Sequence, residues 1–185
     1  MNRTFGEMSR GRPMSKRRTH PAGFTLIESL MAISVLAFAV IAISQAISAG
    51  QMETYEALHH ERAMAVAQAL MEEVLALPYA DPDDSSTTAG PETGQGESAS
   101  SRSTFDNCDD FHNYSESTGN VADHAGVAYT GQFTDFSRAV TAAYETKTIT
   151  GFSGSPSFDG LTVTISITDT RGQQWSVTRF IPEPI

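Results

Sequence analysis

The chain has 185 residues, 39% of them apolar and 18% charged, which suits one folded domain with accessory segments and excludes both a polytopic membrane protein and a wholly disordered chain. Its formal charge of −10 is unevenly spread: residues 1–23 hold six Lys and Arg against Glu7 alone, leaving −15 on residues 24–185. A body of that sign is repelled by phosphate backbones, which excludes nucleic acid as a partner of the isolated domain.

The first segment, residues 1–23, is a basic leader containing Arg3, Arg10, Arg12, Lys16, Arg17 and Arg18. Directly after it, Ser29 to Met52 is a run of 24 residues without a charge. At the rise of an α-helix, roughly 20 residues cross a bilayer core, so residues 24–52 are expected to span a membrane. Basic residues precede the run and Glu53 and Glu56 follow it, an asymmetry that places the N-terminus on the cytoplasmic side and the remainder outside. A secretory signal peptide would have an apolar core of only ~7–15 residues. Glu28 also argues against one, because an acidic residue near the start of an apolar span is costly and marks a functional site.

Beyond the span the pattern becomes amphipathic. Ala63, Val66, Ala67, Leu70, Val74 and Leu77 recur at helical spacing, with Glu61, Gln68, Glu72 and Glu73 on other faces, so one helix is expected from Phe24 to about Leu77, with residues 53–78 as its amphipathic half. Gly50 is its weak point, and Pro78 closes it by pushing the preceding residue out of the α region. Residues 79–104, including Asp81-Pro82-Asp83-Asp84 and a Ser-, Thr-, Gly- and acid-rich stretch, read as a mobile surface loop.

Residues 105–185 read as a small antiparallel sheet domain. Leu161, Val163, Ile165 and Ile167 alternate with polar residues, and the Asp169-Thr170-Arg171-Gly172 turn returns the chain as a partner strand with Trp175 and Val177 inward. Phe136, Val140, Ala142 and Tyr144 mark another strand, its apolar face interrupted by Arg138. The expected fold class is α+β, a long N-terminal helix packed on this sheet.

Cys108 is the only cysteine, which rules out an internal disulfide and a thiolate metal cluster; it is expected to be buried and unreactive. Asp106, Asp109, Asp110 and Glu116 are candidate ligands for Ca²⁺, a hard ion that takes several oxygens, although their spacing is not that of an EF-hand loop. Phe105, Phe111 and Tyr114 suggest instead that aromatics pin this loop to the domain. His59, His60, His112 and His124 lack metal-binding spacing and read as surface histidines. No nucleophile elbow, phosphate-binding loop or dinucleotide fingerprint is present, so neither catalysis nor a cofactor is expected.

Gly23-Phe24-Thr25-Leu26-Ile27-Glu28, with the basic leader before it and the apolar run after it, resembles the signal of type IV prepilins. The resemblance implies a pilin-like fold, cleavage between Gly23 and Phe24 by a prepilin peptidase, N-methylation of Phe24, and a docking role for Glu28 as partner of a neighbouring subunit's terminal amine. A residue without Cβ at position 23 would let a protease approach the backbone closely. Gln45 stands where the major pilins have a proline, and a C-terminal disulfide loop is absent. Both departures fit a minor subunit, and the RAMAVAQALMEEVLALPYADP and RSTFDNCDDFHNYSES segments look like minor pilins of the mannose-sensitive haemagglutinin pilus system. The implied partners are other pilin subunits, an inner-membrane assembly platform and, before assembly, inner-membrane lipid. The implied location is a single-pass inner-membrane protein with a periplasmic domain, later part of a filament. Two further readings are a minor pseudopilin of a type II secretion system and a membrane-anchored periplasmic binding or hydrolytic domain.

Overall fold

The computed structural model describes residues 23–82, 88–92, 94, 96–151 and 154–184. Most of the leader and the Asp83-Asp84 part of the acidic loop lie outside the described residues.

Helix α1 runs from Leu26 to Ala76. Its composition explains its length: it is dominated by Ala, Leu, Met, Ile, Glu and Gln, and contains no proline. The last turn tightens, with Leu77 N–H donating to Val74 O at 3.2 Å, one residue earlier than the proline rule suggested. The chain forms two compact units, residues 1–49 and 50–185. Their boundary falls at Gly50, where the helix continues unbroken and Thr54 Oγ1 donates back to Gly50 O at 2.8 Å. In the first unit every described residue is exposed. This stretch makes α1 the one helix, among the described residues, long and apolar enough to cross a membrane.

The second unit is built on a four-stranded sheet of β1 (Ser115–Glu116), β2 (Phe136–Thr148), β3 (Ser157–Asp169) and β4 (Gln174–Pro182), in that order and antiparallel throughout. The β3–β4 hairpin forms as the alternation predicts, with Ile165 opposite Val177 and Ile167 opposite Trp175. Gly172 supplies the positive φ of +81° that its turn requires. Close approach explains Gly160, where a Cβ would lie 2.3 Å from Ile181 O on β4.

One face of the sheet packs on α1. His59, Ala63, Val66, Ala67, Leu70, Met71 and Val74 are the buried helix positions, the stripe that a 3.6-residue period presents to one side. They meet Phe136, Val140, Ala142, Leu161, Val163, Ile165, Ile167 and Val177 from the strands. Each such large apolar side chain contributes about 1.5–3 kcal/mol on burial. The architecture is therefore α+β, a long apolar N-terminal helix with a small antiparallel sheet, as expected.

The connection between helix and sheet closes the core. Phe105, Phe111 and Tyr114 pack edge to face, with centroids 4.9–6.1 Å apart, so aromatics do anchor residues 105–114. The polar loop before them is not wholly a surface excursion: Ala89 packs against the core, and Arg102–Thr104 form a 3₁₀ turn.

Candidate functional site

The six residues of the signal-like motif sit at the start of α1. Gly23, Phe24 and Thr25 have no regular secondary structure and are exposed; a Cβ on Gly23 would touch nothing within 4 Å. Among the described residues, nothing crowds the Gly23–Phe24 bond. Thr25 is the helix N-cap: its Oγ1 accepts from Glu28 N–H at 3.3 Å, and its carbonyl accepts from Ser29 N–H at 3.1 Å. Glu28 occupies the third helical position, in the first turn, where its negative charge complements the helix dipole. Thr-Leu-Ile-Glu is therefore a capping-box sequence, a signal already present in the spacing Thr-x-x-Glu. The Thr25 cap, which engages the Glu28 N–H, is a local feature of the motif that the sequence reading had overlooked.

Among the described residues of the folded unit, three polar clusters bear on the site. The first joins helix to hairpin: the buried His59 Nε2 lies 3.0 Å from Asp169 Oδ2, while Arg171 contacts both Asp169 and Glu56. His59 is only 3% exposed and stacks near Phe136, with ring centroids 4.7 Å apart. This overturns its reading as a surface histidine. A helical period places position 59 one turn before Ala63, on the core side, and Asp169 supplies the polar partner that a buried imidazole needs. His112 is also not a free surface group, since its Nδ1 accepts from Ala142 N–H at 3.1 Å.

Burial alone would push the Asp169 carboxyl up. Hydrogen bonds from Arg171, Gln173 and His59 overcome that effect and hold it down at about 2. A lowered folded-state value contributes stability above the unfolded value of 3.8 and loses it as pH falls through about 2. Chemical denaturation as a function of pH is expected to show a steep acid limb in that window that is shallower in Asp169→Asn. Identical limbs would refute this account.

The second cluster surrounds Arg138, whose side chain is 1% exposed. Its Nε donates to Glu116 Oε2, its Nη1 to Val66 O at 3.2 Å and its Nη2 to Ala122 O at 2.5 Å. Glu116 also accepts from Tyr114 Oη at 3.0 Å and Ala122 N–H at 3.3 Å. Nearby, Arg102 pairs with Glu73 at 3.1 Å. Glu116, Tyr114, Arg102 and Glu73 border a cavity of about 410 Å³ with His124 and Ser101 on its walls.

The third cluster is acidic. Carboxylate oxygens of Glu92, Glu97 and Asp110 lie within 4.8 Å of one another. Asp110 is fully buried, and its Oδ2 accepts from the N–H groups of Asp106 and Asn107 at 2.8 and 3.1 Å. Burial pushes the Glu92 carboxyl up to about 7, helped by its hydrogen bond with Glu97 and by the charges of Asp81, Asp110 and Asp109. The four calcium candidates from the sequence do not form one cluster. Glu116 is committed to Arg138, and Asp109 Oδ2 accepts from Tyr144 Oη at 2.8 Å. Of the four, Asp110 is the member of this converging group.

No family model, curated protein or solved structure matches the chain. Its functional reading therefore rests on the residues themselves.

Proposed function

We propose that the chain is the precursor of a minor type IV pilin, a structural subunit that is cut between Gly23 and Phe24 and inserted into a filament through the first half of α1. The observation that carries this reading is the position of the Gly-Phe junction: exposed, irregular, and one residue ahead of the N-cap of a helix whose first part, Glu28 apart, is uncharged and exposed. Cleavage there releases the amine of Phe24, one residue before the N-cap and four before Glu28. Such a carboxylate, carried into an apolar filament core, needs a cationic partner, and the terminal amine of a neighbouring subunit supplies one. The apolar half-helix serves as a membrane anchor before assembly and as the packing surface afterwards. The second unit then faces the periplasm, and the prepilin peptidase, assembly platform and fellow subunits are the partners. The role is structural, in pilus assembly and adhesion, and the acidic domain is the part displayed.

The test is intact-mass and N-terminal peptide mass spectrometry on protein from membranes of a host with its own prepilin peptidase. A chain beginning at methylated Phe24 is expected, and Gly23→Ala is expected to slow its appearance. Retention of residues 1–23, or cleavage near Ala49, overturns the proposal.

A further inference from the structure

The acidic cluster has a property that solvated acidic loops lack. Asp110 is buried and Glu92 and Glu97 are half-buried, yet oxygens remain without a hydrogen-bond partner: Glu92 Oε2 and Asp110 Oδ1 are both enclosed and unpaired. Asp110 decides the matter most directly. Its Oδ2 is held by two backbone N–H groups, while the Oδ1 of the same fully buried carboxylate has none. Leaving such an oxygen bare costs the full desolvation of a charged group. The groups that act most strongly on Glu92 besides burial are all acidic: Glu97, Asp81, Asp110 and Asp109. Three converging carboxylates whose strongest neighbours are acidic, with buried unpaired oxygens among them, have the composition of a cation site.

We propose that Glu92, Glu97 and Asp110 bind a single Ca²⁺ ion. The donors are all hard carboxylate oxygens, which suit Ca²⁺ or Mg²⁺ and disfavour thiophilic metals. The three oxygens lie within 4.8 Å of one another, close enough to meet one ion. Calcium is favoured because Mg²⁺ demands a near-octahedral shell at roughly 2.0–2.1 Å, whereas Ca²⁺ accepts variable geometry, and Glu92 and Glu97 flank Gly94 and Gly96 in the chain. One ligand of the site, Asp110, belongs to the aromatic-pinned segment. Binding therefore fastens the polar connection to the core-bound loop and stiffens the outward part of the domain. The earlier half of the molecule plays no part in it, so the inference stands whether or not the chain is a pilin.

The test uses the full chain in detergent micelles, first stripped with chelator, then held in calcium chloride, magnesium chloride or neither. Calorimetric titration is expected to show one calcium site, and thermal melting a rise of about 5–10 °C at a hundredfold excess of calcium over Kd. Glu92→Gln and Glu97→Gln keep side-chain shape and remove one negative charge each. In chelator both are expected to melt at or above the wild-type temperature, because repulsion is relieved, while their calcium-induced rise is lost. That combination separates ligand loss from misfolding. Absence of a calcium response in the wild type, or its retention in both variants, overturns the assignment; an equal response to magnesium overturns the choice of ion.

Discussion

Arg138→Met is expected to lower the stability of the folded unit by about 3–5 kcal/mol, because it removes the cation from a buried ion pair and leaves the carboxylate behind. The Glu116 side chain is 8% exposed, so water cannot take over. Ala122 O loses the Arg138 donor in the same step, and an unsatisfied buried carbonyl adds to the cost, whereas Val66 O, inside the helix, keeps the N–H of Leu70 and loses only its second donor. Arg102 keeps some compensating charge nearby, with Nη1 3.8 Å from Glu116 Oε1, which sets the estimate below the worst case for an isolated buried ion. Adding Glu116→Gln to the variant removes the stranded charge and preserves an acceptor for Tyr114 Oη. The double variant is therefore expected to be more stable than the single one. Urea denaturation in detergent measures both; a single-variant loss under about 1 kcal/mol would show that Arg138 does not brace the domain.

The second large effect concerns Glu28, for which the helix start separates two roles. Gln at this position retains a capping-box partner for Thr25 and eliminates the charge, whereas Ala eliminates both. If the carboxylate pairs with a subunit's amine, Glu28→Gln fails to enter filaments as severely as Glu28→Ala, with an incorporation loss of at least tenfold. Thr25→Val, which removes the cap at a typical cost of about 1 kcal/mol, is expected to leave incorporation within a few-fold of wild type. All three variants should still be cut after Gly23. Quantitative blotting of sheared filaments against membrane fractions gives the comparison. Wild-type incorporation of Glu28→Gln would reduce Glu28 to a helix-capping residue.

The sheet was legible because a half-buried strand writes its burial directly as alternation. Leu161 to Ile167 could be assigned face by face, and the register across the Asp169–Gly172 turn followed. The helix was legible for the same reason at a different period. What escaped was every polar group whose partner is distant in sequence. Arg138 looked like a flaw in an apolar face because its acceptors lie 16, 22 and 72 residues away. His59 finds Asp169 across 110 residues, and no local pattern announces that pairing. The calcium candidates failed in a related way: acidic residues close in sequence were grouped together, yet the fold sends Glu116 to Arg138 and draws Glu92 and Glu97 from the polar loop to Asp110. The cap at Thr25 is local, and its spacing Thr-x-x-Glu stands in the sequence itself.

Cys108 lies 2% exposed below the end of α1, where its Sγ donates to the carbonyls of Val74 and Leu77 at 3.3 and 3.2 Å. Burial pushes its thiol up to about 11, with Asp109 and Asp110 adding to the shift, so the reactive thiolate is scarce as well as enclosed. An alkylating reagent must therefore wait for this corner of the fold to open. Being the only cysteine in the chain, it turns the protein into its own clock: the pace of labelling reports how often the segment between helix and sheet comes away from the core, in detergent, in a membrane or within an assembled fibre.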